Sequence, residues 1–155
     1  MKKNIVALVV ICSSVMALAI GEPTRAQMGK NTVGPSLSIG SGTTSIGVDA
    51  KFGVSDNLSV RPFVFFPSSG ITFGSYLTYD FETSRSSKFD ITPFVGGGVA
   101  IGSSNNGGSN TTVTYFTGGA DFGITDSVDL KAALDVPLTS NNSSTNVRLS
   151  AGFKF

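Results

Sequence analysis

Histidine and tryptophan are absent from this 155-residue chain, and cysteine occurs once. Each absence removes a class of function. Without His, an activated Ser nucleophile lacks its usual general base. No Gly-x-Ser-x-Gly turn is present to carry such a nucleophile either. Charge is scarce: Asp, Glu, Lys and Arg make up 14% of the chain, which is thin for a surface that must face water on all sides. The 11 bases and 10 acids are scattered, so no basic patch points to nucleic acid. Outside the first 26 residues no long apolar run occurs, and no stretch combines a helical period with caps.

The one apolar run lies at the start. Lys2 and Lys3 precede IVALVVICSSVMALAI, and small and polar residues follow. Charged n-region, short apolar h-region and small-residue sites together predict a cleaved export signal over 1–26. Cleavage fits after Ala19 or after Ala26. The second point is preferred because it leaves the apolar region intact and a polar stretch behind it. The run is short for a membrane-spanning helix. Ile11 stands before Cys12, where a lipoprotein signal needs a small residue. With Cys12 removed, the predicted mature domain, 27–155, can form no internal disulfide despite its export. Removing Lys2, Lys3, Arg25 and Glu22 leaves one more acid than base.

What is present is period-two alternation. Eight segments show it, over about 32–40, 44–54, 58–66, 70–82, 89–102, 112–124, 128–137 and 145–155. Their connections fall into two sets. Ser55-Asp56-Asn57, TSRSSK and Thr125-Asp126-Ser127 are polar turns, two of them with Asp or Asn able to bond the local backbone. The other set, SGT, PSSG, SSNNGGSN and LTSNNSSTN, carries no charge. Two sets on alternate ends are what an up-and-down antiparallel barrel requires. The fold expected is all-β: an eight-stranded antiparallel up-and-down transmembrane barrel.

The faces decide between barrel types. The seventh segment places Val128, Leu130, Ala132, Leu134 and Val136 on one face, and Asp129, Lys131, Ala133 and Asp135 on the other. The second and fourth segments repeat this division, with charges near mid-strand and many glycines on the polar side. A membrane barrel turns the apolar face to lipid and fills a narrow lumen with the small and charged side chains. Closure satisfies every backbone group, as hydrocarbon demands. The competing fold is a soluble periplasmic barrel that encloses an apolar ligand. It requires the Leu, Val and Phe face of the last two segments to point inward.

Two stretches carry a resemblance. TPFVGGGVAIG is similar to the Pro-Tyr-Val-Gly-Ala-Gly stretch of the small opacity-type and OmpA-like eight-stranded porin family, with Pro93, Phe94, Val95, Gly96, Gly97 and Gly98 in the motif. Phe and Gly stand where Tyr and Ala are usual. GVSDNLSV and GITDSVDL look like that family's periplasmic turns. The alternation of Val147, Leu149, Ala151, Phe153 and Phe155 resembles the outer-membrane assembly signal of Gram-negative barrels. The resemblance implies a bacterial outer-membrane location, contact with outer-membrane lipid, recognition of the C-terminal strand by the barrel assembly machinery, no cofactor, and a structural or narrow porin-like role. It names no surface ligand. Pro35, Pro62 and Pro93 depart from an ideal strand, since each removes a ladder hydrogen bond. Pro62 and Pro93 are expected near the periplasmic rim. Phe63 and Phe65 fall on the nominal lumen face and leave the register of the third segment open.

Chemistry, if any, would sit among the charged candidates. Asp49, Asp80, Glu82, Asp90, Asp121, Asp129 and Asp135 share the polar faces with Lys51, Arg61, Lys131, Arg148 and Lys154. They could form an acid/base pair, a cation site or an ion path. Their balanced signs favour a lumen plug of salt bridges, because buried charges must be paired. A loop centred between Asn141 and Asn142 would set Asp135 opposite Arg148. A lipid-modifying barrel enzyme is a weaker alternative, since the chain lacks His and no catalytic, metal or cofactor residue is identified. Gly96-Gly97-Gly98 is not a phosphate loop, as no Lys or helix follows it.

Overall fold

The computed structural model describes residues 31–40, 42–85, 90–104, 110–138 and 144–155. The predicted export signal lies outside them. The strands are β1 (Thr32–Gly40), β2 (Thr43–Gly53), β3 (Leu58–Phe66), β4 (Gly70–Asp80), the two-residue β5 (Ser84–Arg85), β6 (Asp90–Ser104), β7 (Thr111–Gly123), β8 (Val128–Pro137) and β9 (Asn146–Lys154). Each long strand falls on one of the eight alternating segments, with ends shifted by at most two residues. Among the described residues no helix is long and apolar enough to cross a membrane, which leaves strand crossings open.

Every pairing is antiparallel. The sheet runs β4-β3-β2-β1-β9-β8-β7-β6, and β4 also pairs with β6, so eight strands close into a ring. β5 only extends the edge of β6, through Ser84–Ile91 and Arg85–Asp90. The first and last strands join through Val33–Phe153, Leu37–Leu149 and Ile39–Val147. The C-terminal strand therefore cannot fray, and Phe155 N donates to Asn31 O at 3.2 Å.

The three prolines sit where the ladders skip. β2 and β3 pair at Asp49–Phe63 and resume at Phe52–Val60, leaving out Pro62. β1 and β9 pair at Val33–Phe153 and resume at Ser36–Ser150, leaving out Pro35. On its β4 side β6 pairs down to Phe94, and Pro93 contributes only its carbonyl, to Phe81 N at 2.9 Å. A residue without an N–H interrupts one ladder and leaves the other intact. Pro93 is near the rim as expected. Pro62 is not: it is the central residue of β3, paired with Ser75.

The two turns with matching sequence also match in structure. Val54 N and Ser55 N both donate to Leu58 O, at 2.8 and 3.2 Å. Ile124 N and Thr125 N donate in the same way to Val128 O, at 3.1 and 3.2 Å. On the opposite end, Gly42 turns the chain between β1 and β2 with φ of 71°, a conformation that favours glycine.

The faces are inverted relative to a soluble protein. Leu130 is 45% exposed, Leu134 46%, Leu149 44% and Phe153 56%, whereas Arg61 and Arg148 are each 1% exposed. The Leu, Val and Phe face of β8 and β9 points outward, so the soluble barrel with an enclosed apolar ligand is excluded. Lipid outside and charge inside is the arrangement of a transmembrane barrel.

Inward glycines make room for the interior rings. A Cβ on Gly74 would stand 2.6 Å from Phe63 Cζ and 2.9 Å from Ala100 Cα. Gly74→Ala is therefore expected to cost about 1–3 kcal/mol through overpacking. Urea unfolding in lipid vesicles checks this. A cost below about 0.5 kcal/mol would mean that the rings relax freely.

Candidate functional site

Even-numbered residues of β1, β4, β6 and β9 and odd-numbered residues of β2, β3, β7 and β8 face the lumen. That parity collects eight charges inside: Asp49, Lys51, Arg61, Asp80, Asp121, Lys131, Asp135 and Arg148, all buried. They form three groups, each of zero net charge.

The largest group lies toward the end that carries the chain termini. Arg61 grips Asp121 with both Nη atoms, at 2.9 and 2.8 Å, and its Nη2 also donates to Asp80 Oδ1 at 2.9 Å. Its Nε donates to Thr78 Oγ1 at 2.9 Å, and its Cζ lies 3.8 Å from the centre of the Phe94 ring. Lys51 Nζ bridges the same two carboxylates at 2.8 Å each. Ser59 Oγ donates to Asp80 Oδ2 at 2.6 Å. Two cations thus face two anions, and a planar guanidinium is well suited to the bidentate part.

The second group crosses the barrel. Lys131 Nζ on β8 donates to Asp49 Oδ2 on β2 at 2.7 Å, and Ser150 Oγ on β9 donates to the same oxygen at 2.8 Å. Ser36 and Ser150 continue the chain with a 2.9 Å hydroxyl contact. The third group is Asp135, which accepts from Thr117 Oγ1 at 2.6 Å and from Arg148 Nη2 at 3.2 Å. Arg148 packs its guanidinium 4.5 Å from the Tyr76 ring centre and 5.6 Å from that of Phe63.

The Asp135–Arg148 pair forms, although its register differs from the expected one. Asp135 is directly opposite Asn146, and Arg148 is opposite Ala133. The connection is centred one residue earlier than the asparagine pair, and the long Arg side chain spans the diagonal. Phe63 and Phe65 are buried in the lumen with Tyr76 and Ala100, which settles the register of β3.

Four candidates stand apart from the plug. Asp129 and Lys154 pair at 2.8 Å near the terminal end, each side chain 19% exposed. Glu82 and Asp90 do not join the lumen network. Glu82 lies two residues past the end of β4 and is exposed, because the barrel wall has ended there. Asp90 opens β6 and is exposed at the same rim. Sequence reasoning passed over the uncharged members Ser36, Ser59, Thr78, Thr117 and Ser150. Their strand parity was the signal that could have found them. Of the terminal stretch, Val147, Leu149, Phe153 and Phe155 are exposed outward and Ala151 is half-buried on the same face.

This arrangement engages all four of its carboxylates. Each of Asp49, Asp80, Asp121 and Asp135 already accepts from a cation and a hydroxyl or a second cation. Among the described residues no group of three or more His, Cys, Asp or Glu side chains is placed to hold a metal.

No family model and no curated protein matches this chain in sequence. Solved structures do match in shape. The N-terminal β-barrel domain of Pseudomonas aeruginosa OprF is 15% identical, with a TM-score of 0.59 over 83% of this chain and 99% of that one. A de novo designed transmembrane β-barrel is 14% identical, with a TM-score of 0.61 over 83% of this chain and 98% of that one. The fold implied by the opacity-type and OmpA-like resemblance is thus the fold observed: the chain is an eight-stranded transmembrane-type barrel with charge inside and apolar side chains outside.

Proposed function

We propose that the protein is a structural barrel of a bacterial outer membrane whose lumen is sealed against ions. Export by the 1–26 signal and insertion through recognition of the terminal strand Val147–Phe155 belong to this reading, as does outer-membrane lipid as the surrounding partner. The end that carries the chain termini and the tight turns then faces the periplasm, in line with the usual layout of such barrels. The observation that carries the proposal is the neutrality of each interior group. A permeating ion would have to displace buried, mutually bonded charges, and no group offers it a compensating net field.

The reading is non-enzymatic. Its support is the engagement of every buried carboxylate by a base, which leaves none poised as a general acid or base.

The purified barrel is to be reconstituted in a planar bilayer. Gel mobility before and after boiling is measured on the same preparation. The expected result is a boiling-dependent shift with no stepwise conductance. Stable conductance steps from the folded species would overturn the sealed-lumen proposal.

A further inference from the structure

The plug does not fill the whole barrel. Beyond Arg148 and Asp135, toward the end opposite the chain termini, lies a cavity of about 160 Å³. Its two sides differ in chemistry. Phe63, Phe65, Tyr76 and Tyr115 form one wall, from β3, β4 and β7. Ser38, Thr43, Ser45 and Asn146 form the facing wall, from β1, β2 and β9. A second pocket of about 180 Å³ shares Pro67 and Thr72 with the first and adds Ser69, Ser103 and Thr111 nearer the rim. The lining is therefore aromatic on one side and rich in hydroxyls on the other, and it is continuous toward the loops.

Charge selects the ligand class. Among the described residues Asp135 is the only charged one lining either pocket, and it is neutralised by Arg148 and capped by Thr117. The connections at this end, from SGT to LTSNNSSTN, contain no Asp, Glu, Lys or Arg. An ionic ligand would find no counter-charge here and would lose its hydration. A neutral one with an apolar face and a polar edge suits both walls. Arg148 backs the cavity without lining it. Arg148 Nε is buried with no hydrogen-bond partner. Arg148 itself packs on Phe63 and Tyr76 and bonds Asp135, three residues that line the cavity.

We propose that this cavity is a binding site for a neutral saccharide, with one pyranose ring seated against the aromatic wall. A volume of about 160 Å³ is below the roughly 300–1,000 Å³ of sites for drug-sized ligands, which suits one sugar ring. The pocket nearer the rim has room for a following unit. The proposal goes beyond the sealed-barrel reading and depends on it only for which side of the membrane the site faces.

The test uses the folded barrel in detergent micelles and saturation-transfer NMR. Glucose, galactose, mannose and N-acetylglucosamine are the neutral probes, with glucuronate and glucosamine as charged controls. The expected result is transfer to at least one neutral sugar in preference to both charged ones. Ser45→Phe fills the hydroxyl side of the cavity, and Tyr115→Leu removes part of the aromatic wall. Each is expected to weaken binding by at least about tenfold while the boiling shift is retained. If one of them fails to fold, the other decides. No transfer from any neutral sugar would overturn the site. So would a preference for a charged sugar, or binding unchanged in a folded variant. Tighter binding of a disaccharide than of its monomer assigns the site to the end of a glycan chain. Equal binding assigns it to a free sugar. Conductance is scored separately, so a leaky barrel that binds sugar defeats only the sealed-lumen reading, and a sealed barrel that does not bind defeats only this one.

Discussion

Arg61→Met is expected to destabilise the barrel by about 3–5 kcal/mol, the range for removing one partner of a buried ion pair. Arg61 is 1% exposed and holds both Asp80 and Asp121. Without it, Lys51 alone would face two carboxylates inside the wall. Lys51→Met should cost less, because Arg61 would still bond both carboxylates. The loss should also be repairable. Arg61→Met combined with Asp121→Leu leaves Lys51 paired with Asp80, so the double variant is expected to regain much of the stability. Urea unfolding of the parent, Arg61→Met, Asp121→Leu and the double variant in vesicles measures the coupling. Additive costs would mean that the guanidinium and the carboxylate act independently, and the plug would have to be redrawn. In planar bilayers Arg61→Met should also conduct more often than the parent, since it leaves an uncompensated negative charge in the lumen.

The second large effect concerns the outer face. Leu149 is 44% exposed and sits opposite Ala132, at the centre of β8. In a water-soluble barrel an outward Leu→Arg change is nearly neutral. In a bilayer the same change near the midplane costs about 2–4 kcal/mol. Leu149→Arg is expected to show the larger cost in vesicles. Ile46→Arg, nearer the β1–β2 turn, should cost less, since the penalty fades toward the interface. Equal and small costs at both positions would contradict a lipid-facing wall.

Leu149 and its neighbour show how much could be read directly. Leu149 and Arg148 are neighbours in sequence, and strict alternation alone assigns them to opposite faces. It does the same for Lys131 and Leu130, and for Asp121 and Phe122. The low charge content then tells which face is outside, because so few charges cannot cover a wet surface. Strand limits were legible because Gly, Asn, Asp and Ser mark the connections on both sides of each segment. Where the wall stops was less legible. Glu82 continues the alternation of β4 in sequence, yet lies past Asp80 and is exposed at the rim. Pro62 is at mid-strand because only one of two ladders needs its N–H, a fact that pairing reveals and a lone strand does not.

Strand direction, face and number are local properties, set by side-chain period and turn chemistry, so the amino-acid order alone determined them for this protein. Partnership across the lumen is not local. Lys51 meets Asp121 on a strand 70 residues away, and Lys131 meets Asp49 across 82 residues. Those contacts depend on the diameter and stagger of the closed ring, which no single segment encodes. The same closure set four aromatic side chains against a wall of hydroxyls and left a cavity between them. Only the tertiary structure decided which charges would cancel and where space would remain, because cancellation and empty volume are properties of side chains brought together from every strand at once.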